Sequence, residues 1–138
     1  MKKTIILMCV LFGMISAYAQ NEKDQIKKTL LDYIEGTANG EPERLKQAFH
    51  PDLNLYAVGE DGEIKARSGQ KYIEIFTDGK KRNRIGKIVS IDYENNAAIA
   101  KIEVDMPGMK RMYTDYLLLL KSKDGWKIVH KSYTFRSY

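Results

Sequence analysis

His130 and Asp115 are the side chains in this sequence best suited to chemistry, because an imidazole beside a carboxylate can pass protons near neutral pH. Tyr113 and Ser132 carry hydroxyls at matching strand positions, and Tyr33 and Tyr56 are further phenols placed to line a pocket mouth. Such a set could serve proton transfer or simply hold a ligand. A plainer reading stands beside it: a His and an Asp at the rim of a sheet can satisfy one another or a backbone group, as buried polar groups must. His50 belongs to a helix-ending turn, which gives it a structural role. Two histidines far apart and a single cysteine are too few for a zinc site, so no metal is expected. The sequence holds neither a glycine-rich phosphate loop nor a serine nucleophile in an elbow, and no cofactor is expected.

Which of these side chains meet depends on the elements that carry them. Ile26, Leu30, Tyr33, Ile34 and Thr37 recur at helical spacing and predict an amphipathic helix over 21–38, stopped by Asn39-Gly40. Pro42 suits the first turn of a short second helix bearing Leu45, Ala48 and Phe49, which His50-Pro51-Asp52 ends. Two short strands follow, over 53–58 and 63–67, and Ser68 caps a third helix carrying Tyr72, Ile73, Ile75 and Phe76. Four long strands come last, over 85–94, 97–106, 111–121 and 126–136, with Asn95-Asn96, Pro107-Gly108 and Asp124-Gly125 at their turns. Helices first and an antiparallel meander afterwards predict an α+β fold with helices over one face of a sheet.

Turn length then sets which residues share a face, since strand side chains alternate. A two-residue loop at Asn95-Asn96 brings Val89, Ile91 and Tyr93 across from Ile102, Ala100 and Ala98. A four-residue turn at Pro107 sets Val104, Ile102, Ala100 and Ala98 against Tyr113, Asp115, Leu117 and Leu119. Any even-length loop at Asp124-Gly125 adds Trp126, Ile128, His130 and Ser132 to that face, where a bulge would break the sequence of facings. The expected concave face is therefore apolar, with Tyr113, Asp115, His130 and Ser132 at one end. The opposite face carries Tyr116, Leu118, Leu120, Val129 and Tyr133, a mixed apolar surface that predicts a homodimer through the sheet.

The chain has 138 residues and a net charge of +5, falling to +3 without Lys2 and Lys3. These two lysines open an uncharged, apolar stretch that closes on Ala17-Tyr18-Ala19, the order of a secretory signal over residues 1–19. The apolar part is too short for a spanning helix, so a single exported domain over residues 20–138 is expected, periplasmic or secreted, with no membrane attachment after cleavage. The basic run Lys80–Arg84 has no stacking aromatics within it and reads as a solvated loop, not a nucleic-acid site.

Four segments carry a family resemblance: Tyr33-Ile34-Glu35-Gly36, Ala48-Phe49-His50-Pro51-Asp52, Asp115-Tyr116-Leu117-Leu118-Leu119-Leu120-Lys121 and Trp126-Lys127-Ile128-Val129-His130-Lys131. With them the chain resembles the nuclear transport factor 2-like superfamily, also called cystatin-like or ketosteroid isomerase-like, and within it the bacterial group labelled "Putative lumazine-binding". The resemblance implies a cone-shaped α+β roll with a helical lid, a pocket at its open end and, frequently, a dimer through the sheet. Ketosteroid isomerase and cyclase relatives place a carboxylate base and hydrogen-bond donors in that pocket, yet many members bind without catalysis, and fold does not give function. The expectation is an exported domain that binds a small, largely apolar molecule, with catalysis not indicated. The alternatives are an isomerase or dehydratase using Asp115 and His130, and a non-catalytic assembly domain. No residue pattern here specifies a pteridine ring.

Overall fold

The computed structural model describes residues 2–138, with side chains from Gln20 onward. The export segment expected over residues 1–19 lies outside the residues whose side chains are described. Three helices, α1 (Lys2–Asn39), α2 (Pro42–Ala48) and α3 (Gly69–Glu74), accompany six strands: β1 (Phe49–Val58), β2 (Ile64–Ser68), β3 (Ile85–Glu94), β4 (Ala97–Met106), β5 (Arg111–Ser122) and β6 (Gly125–Ser137). Among the described residues no helix is long and apolar enough to cross a membrane.

The apolar stripe of α1 buries Ile26, Leu30, Tyr33, Ile34 and Thr37 against the sheet. Gly40 ends the helix at φ +69°, where a Cβ would stand 2.6 Å from the Lys80 carbonyl oxygen, so both the conformation and the space favour glycine. Pro42 opens α2, and Asp32 ties the two helices by accepting from Arg44 Nε and Lys28 Nζ, each at 2.8 Å. Burial pushes the Asp32 carboxyl up, but the hydrogen bonds from Lys28 and Arg44 outweigh it and hold it below the ordinary carboxylate value. The Ser68 hydroxyl caps α3 by accepting from the Lys71 amide at 3.3 Å.

The strands form one curved, open sheet in the order β2-β1-β6-β5-β4-β3. The meander β3 to β6 is antiparallel, as expected, and β1 joins the free edge of β6 in parallel, which makes the sheet mixed. At β3–β4 the two-residue turn holds, with Asn95 in the left-handed region at φ 53° and Glu94 opposite Ala97. Tyr93 faces Ala98 and Ile91 faces Ala100, but a bulge between Ile88 and Ser90 puts Ile88, not Val89, opposite Ile102. Val89 is consequently exposed. Gly86 continues the inner row of β3 and lets α1 approach: a Cβ there would lie 2.4 Å from Ile34 Cγ2. At β4–β5 every expected pair is present, from Val104 with Tyr113 to Ala98 with Leu119.

A second bulge, between Leu118 and Leu119 of β5 and centred on Val129 of β6, changes the interior. Ile128 pairs with Leu119 and His130 with Leu118, so parity switches at Val129. Trp126 and Ile128 face inward as expected, whereas from there outward it is Lys131 and Tyr133 that line the concave face.

Candidate functional site

Tyr33 from α1, Asp115 from β5 and Lys131 from β6 meet inside the cone. All three are at most 4% exposed. The Tyr33 hydroxyl donates to Asp115 Oδ2 at 2.6 Å, and Lys131 Nζ donates to the same oxygen at 2.9 Å and to the Tyr33 hydroxyl at 2.6 Å. The lysine ammonium also lies over three phenol rings, 4.8 Å from that of Tyr33, 5.3 Å from Tyr72 and 5.1 Å from Tyr133. Burial, and then the neighbouring Asp115 charge, push the Tyr33 phenol well above its ordinary value, so it remains a proton donor through the neutral range.

Asp115 uses only one of its oxygens in this cluster. Among the described residues Oδ1 is buried with no hydrogen-bond partner, a costly arrangement for a carboxylate unless some other group engages it. A second cation, Arg84, stands nearby. Burial lowers its pKa, but attraction to Tyr72, Tyr33 and Asp115 outweighs this and holds it above the ordinary guanidinium value. Lys131 is the cation that contacts the carboxylate, and its ammonium with the Tyr33 hydroxyl supplies donors suited to a developing oxyanion.

Toward the mouth, the next inward pair on β5 and β6 is Tyr113 with Phe135, and Arg111 stacks on Phe135 at 4.2 Å. These residues, with Ala57, Val58, Lys65 and Tyr133, border a cavity of about 560 Å³. Tyr133 belongs to both this cavity and the cage around Lys131, lining the one and placing its ring against the Lys131 ammonium in the other. The deeper part of the cone is filled by Leu117, Leu119, Trp126 and Ile128.

Of the six candidate site residues, Tyr33 and Asp115 come together in the interior and Tyr113 lines the cavity. Tyr56, His130 and Ser132 do not join them. The bulge at Val129 turns His130 and Ser132 to the outer face, where His130 Nε2 contacts Ser132 Oγ at 2.8 Å and its ring stacks on Tyr56 at 5.2 Å. His130 is therefore separated from Asp115 by the sheet, and the expected His–Asp pair does not form. Tyr133 is corrected in the opposite sense, from the outer face to the inner one.

Sequence reasoning missed Lys131, Tyr72 and Arg84. A signal for the first was present: the large apolar residues of β6 fall on even positions at Trp126 and Ile128 but on odd ones at Tyr133 and Phe135. Such a change of parity within one strand marks an inserted residue. A buried acid was missed too, since Glu22, 3% exposed, accepts from Trp126 Nε1 at 3.1 Å and from Lys121 Nζ at 2.6 Å.

An open cone of this kind, lidded by helices and polar at mid-depth, is the nuclear transport factor 2-like architecture. It superposes on an NTF2-like protein from Shewanella baltica with a TM-score of 0.76 at 24% identity, covering 86% of this chain and 96% of that one. A second, from Silicibacter pomeroyi, gives 0.74 at 21% identity over 86% and 98% of the two chains. The chain belongs to the family described as "Putative lumazine-binding", whose model matches residues 21–134. Among characterised proteins it is similar to aldolase FrzH of Cladobotryum sp, with 32% identity over 119 residues, 86% of this chain and 93% of that protein.

Proposed function

We propose that this chain binds a small carbonyl compound in the concavity and moves protons on it, as enolisation and aldol chemistry require. The observation that carries this reading is Asp115: one oxygen is held by Tyr33 and Lys131, and the other is buried with no partner among the described residues. A carboxylate so oriented can take a proton from the carbon beside a carbonyl, while the neighbouring O–H and N–H donors stabilise the oxyanion that forms. The likeness to an aldolase supports the same class of reaction. Relative to the sequence-based alternative, Asp115 keeps its role, and Tyr33 and Lys131 stand in place of His130.

Exchange of hydrogen for solvent deuterium tests this directly. Pyruvate or cyclohexanone incubated with the full chain in heavy water should lose its α-proton signal faster than in buffer. Asp115→Asn, which preserves shape but removes the base, should slow the exchange by about 10²–10⁴-fold. Wild-type exchange no faster than buffer would refute the proposal.

We also propose that a second copy of the chain covers the outer face. Ile99, Tyr116, Leu118 and Leu120 are between 47% and 56% exposed there, and Val129 borders the same groove. Apolar side chains clustered this way on one sheet face are the usual mark of an interaction surface. Leu118→Lys should yield monomers in sedimentation where the wild type is a dimer. A wild-type chain that stays monomeric across micromolar concentrations rules the dimer out.

A further inference from the structure

We propose that Lys131 binds the carbonyl compound covalently, its ε-amine forming an iminium with a ketone or aldehyde inside the cone. This rests on the preceding reading of the cluster as a site for carbonyl chemistry and adds a role that proton transfer by Asp115 alone does not need.

Lysine is among the residues least often fully buried, and here it is 4% exposed. Iminium formation needs an amine, an acceptor for its proton and an acid for the carbonyl oxygen. Lys131 has both partners in contact: Asp115 Oδ2 at 2.9 Å and the Tyr33 hydroxyl at 2.6 Å. The ammonium would pass a proton to Asp115, and its nitrogen would then form a bond to the carbonyl carbon. Of the three ammonium protons, two leave with the carbonyl oxygen as water, relayed through Asp115 and Tyr33, and one stays on the iminium nitrogen. Charge is conserved. Asp115 can then take the α-proton, and the electron pair of that C–H bond moves toward nitrogen to give a neutral enamine. The enamine carbon bonds to a second carbonyl, whose oxygen takes the proton back from Asp115, or regains that proton itself, and water hydrolyses the re-formed iminium to release the product and restore the ammonium.

Tyr133 lines the 560 Å³ cavity and its ring lies 5.1 Å from the Lys131 ammonium, so this one side chain adjoins both the cavity and the amine.

The test is reductive trapping of the full chain by cyanoborohydride with pyruvate and, separately, with cyclohexanone, followed by peptide mass spectrometry. The expected result is a reduced adduct concentrated on the Lys131 peptide, well above that on the other lysine-bearing peptides. Lys131→Arg keeps the positive charge but cannot form an iminium, and should lose the adduct while retaining the wild-type circular dichroism spectrum. The wild-type measurement decides the matter even if that variant misfolds. Adducts spread evenly over the lysines, or none on Lys131, would overturn the proposal. Deuterium exchange without a Lys131 adduct removes the covalent role and leaves the acid–base reading in place; loss of both signals removes both.

Discussion

Lys131→Met should lower stability by about 3–5 kcal/mol, the cost of leaving one partner of a buried ion pair behind. Asp115 is 1% exposed and would be left with only the Tyr33 hydroxyl as donor, its other oxygen having no partner among the described residues. Asp115→Leu alone should cost a similar amount by stranding the ammonium among three phenol rings. Combining the two changes should recover much of the loss, because exchanging a whole buried pair for apolar side chains is often close to neutral. Urea denaturation of the two singles and the double measures the coupling. Singles within about 1 kcal/mol of wild type would mean that water relieves the pair in solution.

Trp126→Ala should cost about 3–5 kcal/mol, through lost burial and the cavity left in the core. Trp126 is 4% exposed and ties α1 to the sheet at two points: its indole donates to Glu22 and its carbonyl accepts from Thr29 at 3.3 Å, while its ring lies in the sheet concavity. Trp126→Phe separates these contributions. It keeps most of the apolar ring but removes the donor to a buried carboxylate, for an expected loss of about 1–3 kcal/mol. Denaturation midpoints for both variants check the order, and a phenylalanine variant less stable than the alanine one would contradict it.

These side chains differ in how far the sequence announced them. The limits of β3 and β4 were legible because Asn95-Asn96 and Pro107-Gly108 punctuate alternating runs, and turn chemistry is local. Tyr33 was legible as a buried helix position and Asp115 as an inward strand position. Their meeting could be inferred because α1 must cover the concave face. Lys131 was legible only through the change of parity from Trp126 and Ile128 to Tyr133 and Phe135, since no turn residue marks the irregularity that sets its facing. A strict alternation carried through Val129 places it outside and His130 inside. The parallel pairing of β1 with β6 was likewise hidden, because it joins segments far apart in the chain and no local signal reports it. Tertiary placement decided in each case what local pattern left open.

The extra residue at Val129 means that β6 is written in two frames spliced end to end, one read on even positions and one on odd. Counting residues is therefore a poor guide to equivalence between this strand and that of a relative. A relative lacking the insertion would present the same inward side chains from a strand one residue shorter, and one with the insertion placed a few residues later would offer the interior a different set. The chemistry inside such a cone can then change without any substitution in it, through the gain, loss or sliding of a single unpaired residue. Comparison of relatives by which side of the sheet a residue occupies, instead of by column, is what would reveal whether the lysine travels with the fold.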